Sequence, residues 1–436
     1  MFLGACIYSL FFHSLFSIPP IYRVNVGEQV SLGGCLPRRI SRQIIAYVSD
    51  GGQKLRWKSG DLTAQTFYPF LDKSPIAAIP GMINLDLRLF GVVPIKRVTL
   101  QVVPPVKVIA GGHSIGVLLH AQGVIVVGYA NIHEAGDSVG FSPARHAGIL
   151  PGDVIVSIEE KVVQSDSQVS FLIDQLARKK DVLRFQVKRN GTLQEYRIKP
   201  IYCSETKRYR VGLYVRDGAA GVGTLTFYEP NTKKYGALGH VITNSETNKF
   251  LDLHDGKIVG ASVQGIQKGE RGKIGEKIGV FFGDGTTGSI EKNTVYGIFG
   301  RMKGSLSNPL FTKLMPVAMG HQIKKGKAKM LTVLKGEKIE AFDVEIQNVF
   351  SQPRPDGKAF IIKITDPELL NRTGGIIQGM SGSPIIQNGR LVGAVTHVFI
   401  NDPTRGYGVL AESMLEEAGL LSAKGLRKVS GLSLLL

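Results

Sequence analysis

One short stretch, Gly379–Pro384 (GMSGSP), constrains the fold of this chain more than any other. An apolar run follows it, then Asn388-Gly389, then a second apolar run at Leu391–Val395. Asn-Gly between two apolar runs favours a tight type I′ hairpin. A β-hairpin directly after a glycine-framed serine is typical of chymotrypsin-like double barrels, whereas a helix follows the serine in α/β-hydrolases.

The serine of this stretch, Ser381, is a candidate nucleophile. Flanking glycines let the backbone turn sharply, so that the hydroxyl projects into a cleft. The same turn can aim backbone N–H groups at one point, and we expect those of Gly379 and Ser381 to form an oxyanion hole. Glycine and serine also make ordinary tight turns, so the motif is a hypothesis that depends on its context.

The rest of the chain predicts a mainly β, multidomain protein. Its 436 residues correspond to about three domains, and 53 glycines with 20 prolines favour many short strands and turns. We predict four segments: a leader at 1–23, a β-rich N-terminal region at 24–108, a PDZ domain at 109–201, and a chymotrypsin-like double β-barrel peptidase domain at 202–436.

The leader is apolar. Residues 2–20 carry no Lys, Arg, Asp or Glu, and the first basic residue is Arg23. The segment is short for a membrane span, which needs about 20 apolar residues, and it lacks the basic start of a signal peptide. A buried strand or hairpin is the alternative, but we expect an export signal or a membrane anchor.

The net charge of +18 favours anionic partners. The basic residues are dispersed and accompany no nucleic-acid module, so we expect no nucleic acid and instead a membrane surface as a partner. The three cysteines, Cys6, Cys35 and Cys203, give neither a disulfide framework nor a metal-binding spacing. We expect free thiols rather than a Cys35–Cys203 bridge, and no metal or cofactor.

A PDZ domain is indicated by Ala147-Gly148 followed by Leu150–Ile155 (LPGDVI), which resembles the bacterial PDZ signature. An amphipathic helix is predicted next, over about Ser167–Arg178. PDZ domains bind extended peptides by adding a strand to a sheet edge. We expect the carboxylate-binding loop of this domain at four residues, with an ordinary β-turn as the alternative: Ser114, Ile115, Gly116 and Val117.

A serine hydroxyl needs a base, and histidine suits neutral pH. Four of the nine histidines lie in the last region: His240, His254, His321 and His397. His240 is the strongest candidate because it lies in a stretch of small residues that runs into a strand. His397, just after the predicted nucleophile hairpin, is the second.

An acid usually orients the base. Asp366, at the end of a predicted strand before Ser381, is the first candidate. Asp343 and Asp402 compete with it, and aspartates are common in surface turns.

Four segments together resemble the SpoIVB peptidase family of endospore-forming bacteria. They are GALGHVIT around His240, ITDPELL around Asp366, GGIIQGMSGSPIIQNGRLVGAVTHVFINDPTRGYGV around Ser381, and the PDZ segment before them. The resemblance implies a serine endopeptidase with Ser381 as nucleophile, His240 as base and Asp366 as acid. The chain departs from the family at Asn244, where an acid is usual.

The resemblance also implies a biological role. Members of the family are exported into the space between the two forespore membranes, cleave themselves and then cleave a membrane-tethered regulator, which triggers processing of a pro-sigma factor. The PDZ domain is expected to take a peptide ligand. Two alternatives stay open: a PDZ adaptor with an inactive protease-like barrel, and a quality-control protease of the HtrA type, although HtrA proteins place the PDZ domain after the peptidase.

Overall fold

The computed structural model of the protein describes residues 18–32, 42–57, 66–67, 69, 74–133, 140–243, 253–282 and 288–421. Strands account for 54% of the structure and helices for 10%, which confirms the predicted mainly β class. Within these ranges no helix is long and apolar enough to cross a membrane. Most of the predicted leader, residues 1–17, lies outside the described residues.

The N-terminal region forms a five-stranded sheet in the order β1-β7-β6-β2-β4 and a small separate pair, β3-β5. Apolar side chains alternate along these strands, so one face packs into a core that includes Val24, Ile44 and Leu85. A 3-10 turn, Gly52–Lys54, precedes β3. The strands are β1 (Ile21–Asn25), β2 (Ile44–Asp50), β3 (Leu55–Arg56), β4 (Thr66–Phe67), β5 (Ile76–Ala77), β6 (Gly81–Leu89) and β7 (Val93–Val103).

The PDZ domain follows two strands, β8 (Lys107–Ala110) and β9 (Ser114–Tyr129). Its helix α2 buries Val169 and Ile173 at helical spacing, and Ser165 caps the first turn. The domain comprises α1 (Pro143–His146), β10 (Val154–Ile158), β11 (Lys161–Val162), α2 (Asp166–Ala177), β12 (Leu183–Arg189), β13 (Thr192–Ile198), β14 (Ile201–Cys203), β15 (Arg208–Arg210) and the first residues of β16 (Leu213–Glu229).

The signature turn of this domain is fixed by one aspartate. Asp153 is fully buried. Its carboxylate accepts a hydrogen bond from the Leu150 amide at 2.8 Å and bonds with Arg189 at 2.8 and 2.6 Å. A buried charge needs such pairing, which explains why the LPGD sequence forms this turn.

The first half of the peptidase is one sheet with the PDZ strands. β9 pairs with β16 on both sides of residues 121–124 and also pairs with β18 (Leu253–Gln267), while β8 pairs with β16 and β23 (Met315–Pro316). The remaining strands are β17 (Lys234–Ala237), β18 (Leu253–Gln267), β19 (Glu276–Phe282), β20 (Gly288–Ser289), β21 (Lys292–Thr294), β22 (Gly297–Arg301) and β23 (Met315–Pro316).

This pairing bears on two of our predictions. Residues on both sides of the PDZ segment pair in one sheet, because β8 and β9 both pair with β16, so the predicted PDZ and peptidase segments share a sheet and the boundaries at 109 and 202 stay a prediction. Ser114, Ile115, Gly116 and Val117 lie inside β9 with β16 on one edge, and the last three also pair with β18 on the other. Their backbone groups take part in the hydrogen bonding of the sheet, so these four residues do not form a carboxylate-binding loop in this structure.

The second half is a closed six-stranded barrel, β24-β25-β26-β29-β28-β27. Closure leaves no free strand edge, and inward residues such as Phe342, Val344 and Ile346 alternate to fill it. A 3-10 turn, Gly320–Gln322, precedes the barrel. Its elements are β24 (Gly326–Val333), β25 (Ile339–Val349), β26 (Phe360–Ile364), α3 (Pro367–Thr373), β27 (Pro384–Gln387), β28 (Arg390–Phe399), β29 (Asp402–Leu410) and α4 (Ala411–Glu417).

Candidate active site

Ser381 lies in the loop between α3 and β27, where the sequence predicts the nucleophile turn. Gly379 and Gly382 have φ angles of +89° and +91°, which side chains rarely adopt. A Cβ atom at Gly382 would stand 2.0 Å from the Thr224 carbonyl oxygen and 2.4 Å from the Leu238 nitrogen. Only glycine fits there, so the two glycines are required by the shape of the turn.

The amides of this loop are used unequally. Those of Gln378, Met380, Gly382 and Ser383 donate to backbone carbonyls at 2.8–3.1 Å. The amides of Gly379 and Ser381 donate to no group of the described residues. These are the two donors that we predict for an oxyanion hole, and they are available for an incoming oxyanion.

Strand β16 holds the nucleophile loop from outside the barrel. Thr224 donates its amide to the Ser381 carbonyl at 3.0 Å and its hydroxyl to the Gly379 carbonyl at 2.7 Å. Thr226 donates to the Gly382 carbonyl at 2.8 Å, and both threonine side chains are fully buried. Our sequence reasoning missed this pair, although two threonines two residues apart on one face of an apolar strand are a signal of buried hydrogen bonding.

His240 follows β17 after two residues in the left-handed region, Leu238 with φ +67° and Gly239 with φ +70°. Leucine rarely adopts this conformation, and such strain often occurs at functional sites. The Nδ1 atom of His240 lies 2.8 Å from the Val241 carbonyl oxygen. A carbonyl can only accept, so we assign the proton to Nδ1, which leaves Nε2 as the acceptor.

Burial lowers the pKa of His240, although the bond to Val241 acts in the opposite direction. The neutral ring is therefore favoured. Its centroid lies 5.2 Å from that of His397, whose Nδ1 contacts the Thr396 hydroxyl. Partial burial and the adjacent His240 lower the pKa of His397 to about 4. The two leading histidine candidates are thus neighbours.

Ser381 and His240 line one pocket of about 370 Å³. The Ser381 hydroxyl is partly buried and donates to the Thr396 carbonyl at 3.1 Å. It is turned toward Thr396 rather than bonded to the His240 ring. Five of the other eleven lining residues come from β16, and four of the eleven are glycine or alanine: Val117, Arg216, Gly218, Ala220, Gly221, Val222, Leu238, Ile242, Thr243, Gln378 and Gly379.

Asp366 is placed differently from our prediction. It is the N-cap of α3, and its carboxylate accepts from the amides of Glu368, Leu369 and Asp343 at 3.0–3.2 Å. Within the described ranges no hydrogen bond joins Asp366 to His240. In this structure the carboxylate of Asp366 therefore caps the following helix, and its role as the orienting acid stays a prediction.

The remaining candidates lie away from the pocket lining. Asp343 pairs with Lys329 at 2.9 Å, and Asp402 accepts from Thr404. His321 packs on the Tyr22 ring, with centroids 5.0 Å apart. The side chain of His254 lies outside the described residues. Cys203 is a buried free thiol, while Cys6 and Cys35 are not described.

A buried lysine, Lys277 on β19, lies directly under the nucleophile loop. Its amide donates to the Gln378 carbonyl at 3.0 Å, and its methylene chain packs beside Gly379. Its Nζ donates to the hydroxyl of Thr332 at 2.7 Å, and only 5% of the residue is exposed. Burial lowers its pKa to about 7. Our sequence reasoning missed this residue because nothing in its neighbourhood along the chain marks it as buried.

In the described ranges no group of three or more His, Cys, Asp or Glu side chains could hold a metal ion.

A glycine-framed serine and a histidine line one pocket beside a closed β-barrel and a sheet that carries a PDZ domain, and the class of protein that this arrangement indicates is a serine peptidase. Comparison with protein families narrows this class further. Residues 207–415 match the SpoIVB peptidase S55 family, and residues 116–199 match the PDZ domain family. The chain therefore carries the peptidase domain of the SpoIVB S55 family together with a PDZ domain, which confirms the resemblance seen in its motifs.

Three further proteins show limited similarity. A protein of Treponema pallidum (strain Nichols), described as a zinc metalloprotease, is 28% identical over 158 residues, and this chain spans about a third of its length (33%). The active form of the Rv3671c protease from M. tuberculosis is 16% identical, covering 47% of this chain and 80% of that one, with a TM-score of 0.28. The thermostable serine protease AL20 from an extremophilic microorganism is 12% identical, covering 48% and 93%, with a TM-score of 0.28.

Proposed function

We propose that this serine peptidase is an endopeptidase that uses Ser381 as nucleophile and His240 as general base. The observation that carries the proposal is the nucleophile loop itself: two unused amides flank a serine hydroxyl that shares a pocket with a neutral histidine. Rotation of the Ser381 hydroxyl away from Thr396 would bring it toward Nε2 of His240. The ring then takes the proton as the oxygen attacks the scissile carbonyl.

The remaining chemistry follows from the same groups. The amides of Gly379 and Ser381 stabilise the oxyanion of the tetrahedral intermediate, and one such donor is worth about 10²–10³ in rate. The Val241 carbonyl holds the His240 tautomer, a task that an aspartate performs in many serine peptidases. The protonated ring returns its proton to the leaving amine.

For the peptide ligand of the PDZ domain we propose a different site from the one predicted from the sequence. Val211-Gly212-Leu213 also has the φ-G-φ pattern, and Gly212 has a φ of +76°. Residues 213–216 of β16 pair with β9 on one edge, and no described strand covers their other edge. Leu213 and the α2 residues Leu172 and Leu176 pack against the same hydrophobic core of the domain. We place the peptide along this edge, beside α2.

For the biological role we propose sporulation signalling, on the basis of the SpoIVB S55 match. In this role the protein is exported to the forespore intermembrane space, where it cleaves itself and a membrane-tethered regulator and so triggers pro-sigma factor processing. The PDZ adaptor without activity and the HtrA-like quality-control protease are the competing proposals.

A paired substitution tests the nucleophile. We expect Ser381→Ala to abolish self-cleavage and labelling by a fluorophosphonate probe while the protein stays folded. The matched control is Ser383→Ala, two residues away, whose buried hydroxyl has no hydrogen-bond partner among the described residues. Unchanged cleavage in Ser381→Ala would overturn the assignment, and a folded wild-type protein that never labels would favour the adaptor.

A further inference from the structure

The tip of the β6–β7 hairpin exposes large apolar side chains. Phe90 is 65% exposed, Val92 76% and Val93 54%. They are consecutive except for Gly91, so they form one apolar surface rather than scattered residues. A contiguous exposed apolar patch of this kind marks a contact with another apolar surface.

The turn at this tip uses an unfavourable residue. Phe90 and Gly91 have φ angles of +53° and +75°, and the Val92 amide donates to the Leu89 carbonyl at 3.1 Å. Three other described hairpins have the same pair of left-handed angles; two use Asn-Gly, at 190–191 and 388–389, and the third uses Glu159-Glu160. Asn-Gly is the residue pair that this turn prefers. The left-handed backbone conformation disfavours a phenylalanine at this position. Burial of the side chain does not offset this cost, because Phe90 is 65% exposed.

The surroundings of the tip are basic. In the whole hairpin, residues 81–103, the one acidic residue is Asp86, which is paired with Arg97 at 2.7 Å. The Arg88 guanidinium lies over the Tyr47 ring at 4.6 Å, and the Tyr47 hydroxyl donates to the Gly91 carbonyl. Exposed Arg42 is adjacent to Gln43, whose carbonyl accepts from the Phe90 amide at 2.8 Å. An apolar tip with arginines and a tyrosine beside it suits the interface of an anionic bilayer.

The chain enters the fold at the same end of the sheet. Strand β1 runs parallel to β7, with Ile21 opposite Thr99, and the Lys96 ammonium donates to the Ile18 carbonyl. Lys96 is three residues from the tip residue Val93, about 10 Å along an extended strand. Residues 1–17, which carry no Lys, Arg, Asp or Glu, therefore join the described fold on the side of the tip.

We propose that the hairpin tip, Phe90–Val93, is a membrane-contact site that inserts its apolar side chains into a bilayer containing anionic lipid. The two valines and the phenylalanine enter the acyl boundary, and the arginines contact the headgroups. This site is separate from the peptidase pocket, and its test does not depend on the catalytic assignment.

A tryptophan reporter at the tip tests the proposal on the full chain. The native sequence has one tryptophan, Trp57, which packs against Phe67. Phe90→Trp adds a reporter at the tip, and Val92→Trp serves if the first variant does not fold. The matched control is Phe171→Trp on α2, because Phe171 is 63% exposed in the PDZ domain. Each protein is mixed with phosphatidylcholine vesicles with and without phosphatidylglycerol, and with brominated acyl chains as quencher.

We expect the emission of the tip variant to move to shorter wavelength and to lose about half or more of its added intensity to brominated lipid. The effect should be stronger with phosphatidylglycerol. The control should show neither change, even where both proteins are bound to the vesicles by other segments. Equal emission and equal quenching of the tip and control reporters would overturn the proposal, as would a tip that stays fully open to aqueous iodide.

Discussion

Lys277 offers a prediction whose magnitude can be worked out. Its ammonium is buried, and within the described ranges its side chain has one polar partner, the Thr332 hydroxyl, and no carboxylate. Lys277→Met keeps the length of the side chain and removes the titrating group. We expect this variant to be more stable than the wild type near neutral pH, although it loses a hydrogen bond.

The size of the expected stability difference follows from the pKa of Lys277. Burial lowers it from 10.5 to about 7, so the unfolded chain binds more protons than the folded protein between these values. Wild-type stability therefore rises with pH across this window and is lowest below pH 7. At about 1.4 kcal/mol per pKa unit, the charged lysine costs the folded state about 5 kcal/mol below pH 7, and about 3 kcal/mol of this is recovered between about pH 6 and pH 9. The lost bond to Thr332 subtracts about 1–3 kcal/mol at every pH.

Urea unfolding of wild type and Lys277→Met at about pH 6 and about pH 9 measures the difference. The stability gap between the two proteins should shrink by about 3 kcal/mol at the higher pH. Lys273→Met, an exposed lysine on the same hairpin, is the control and should show a constant gap. A gap for Lys277→Met that does not change with pH would refute the reasoning.

Three further predictions concern the site and the hairpin tip. Asp366→Asn should keep activity within about tenfold because asparagine caps a helix equally well, whereas a loss of about 10⁴ in kcat would restore Asp366 as the orienting acid. The acid limb of kcat/KM should lie below pH 6.5, since burial lowers the pKa of His240 and keeps the base neutral to lower pH; a midpoint above 6.5 in a pH–rate profile would contradict this. Phe90→Asn should raise the stability of the N-terminal sheet by about 1 kcal/mol, and a lower melting temperature would show that Phe90 has a structural role instead.

The nucleophile hairpin was predictable because its determinants are local. Asn388-Gly389 adopts the two left-handed angles of a tight turn, and Ser381 lies between two glycines with positive φ. The PDZ signature at Leu150–Ile155 is equally local, since Asp153 bonds within its own turn. Short-range backbone preferences suffice for such features.

The two features that the structure places differently have different causes: one depends on strands far away in the chain, and the other on the helix that follows directly. The φ-G-φ pattern at Ser114–Val117 is typical of a carboxylate-binding loop. In the structure these residues pair with β16 and β18, which lie more than a hundred residues later in the chain. Asp366 ends a strand as expected, yet the amides of α3 compete for its carboxylate. The first pattern fits a loop or a strand, and the aspartate fits a helix cap or an orienting acid. The contacts in the folded protein distinguish the two roles in each case.

The sequence by itself determined the class of this protein: a mainly β serine peptidase of the SpoIVB type with a PDZ domain, and the serine and histidine of its pocket. Turns and alternating strands depend on residues that are adjacent in the chain, so both can be predicted without the tertiary structure. The tertiary structure decided how the site is held. Thr224, Thr226 and Lys277 reach the nucleophile loop across more than a hundred residues, because only the folded sheet brings β16 and β19 against it.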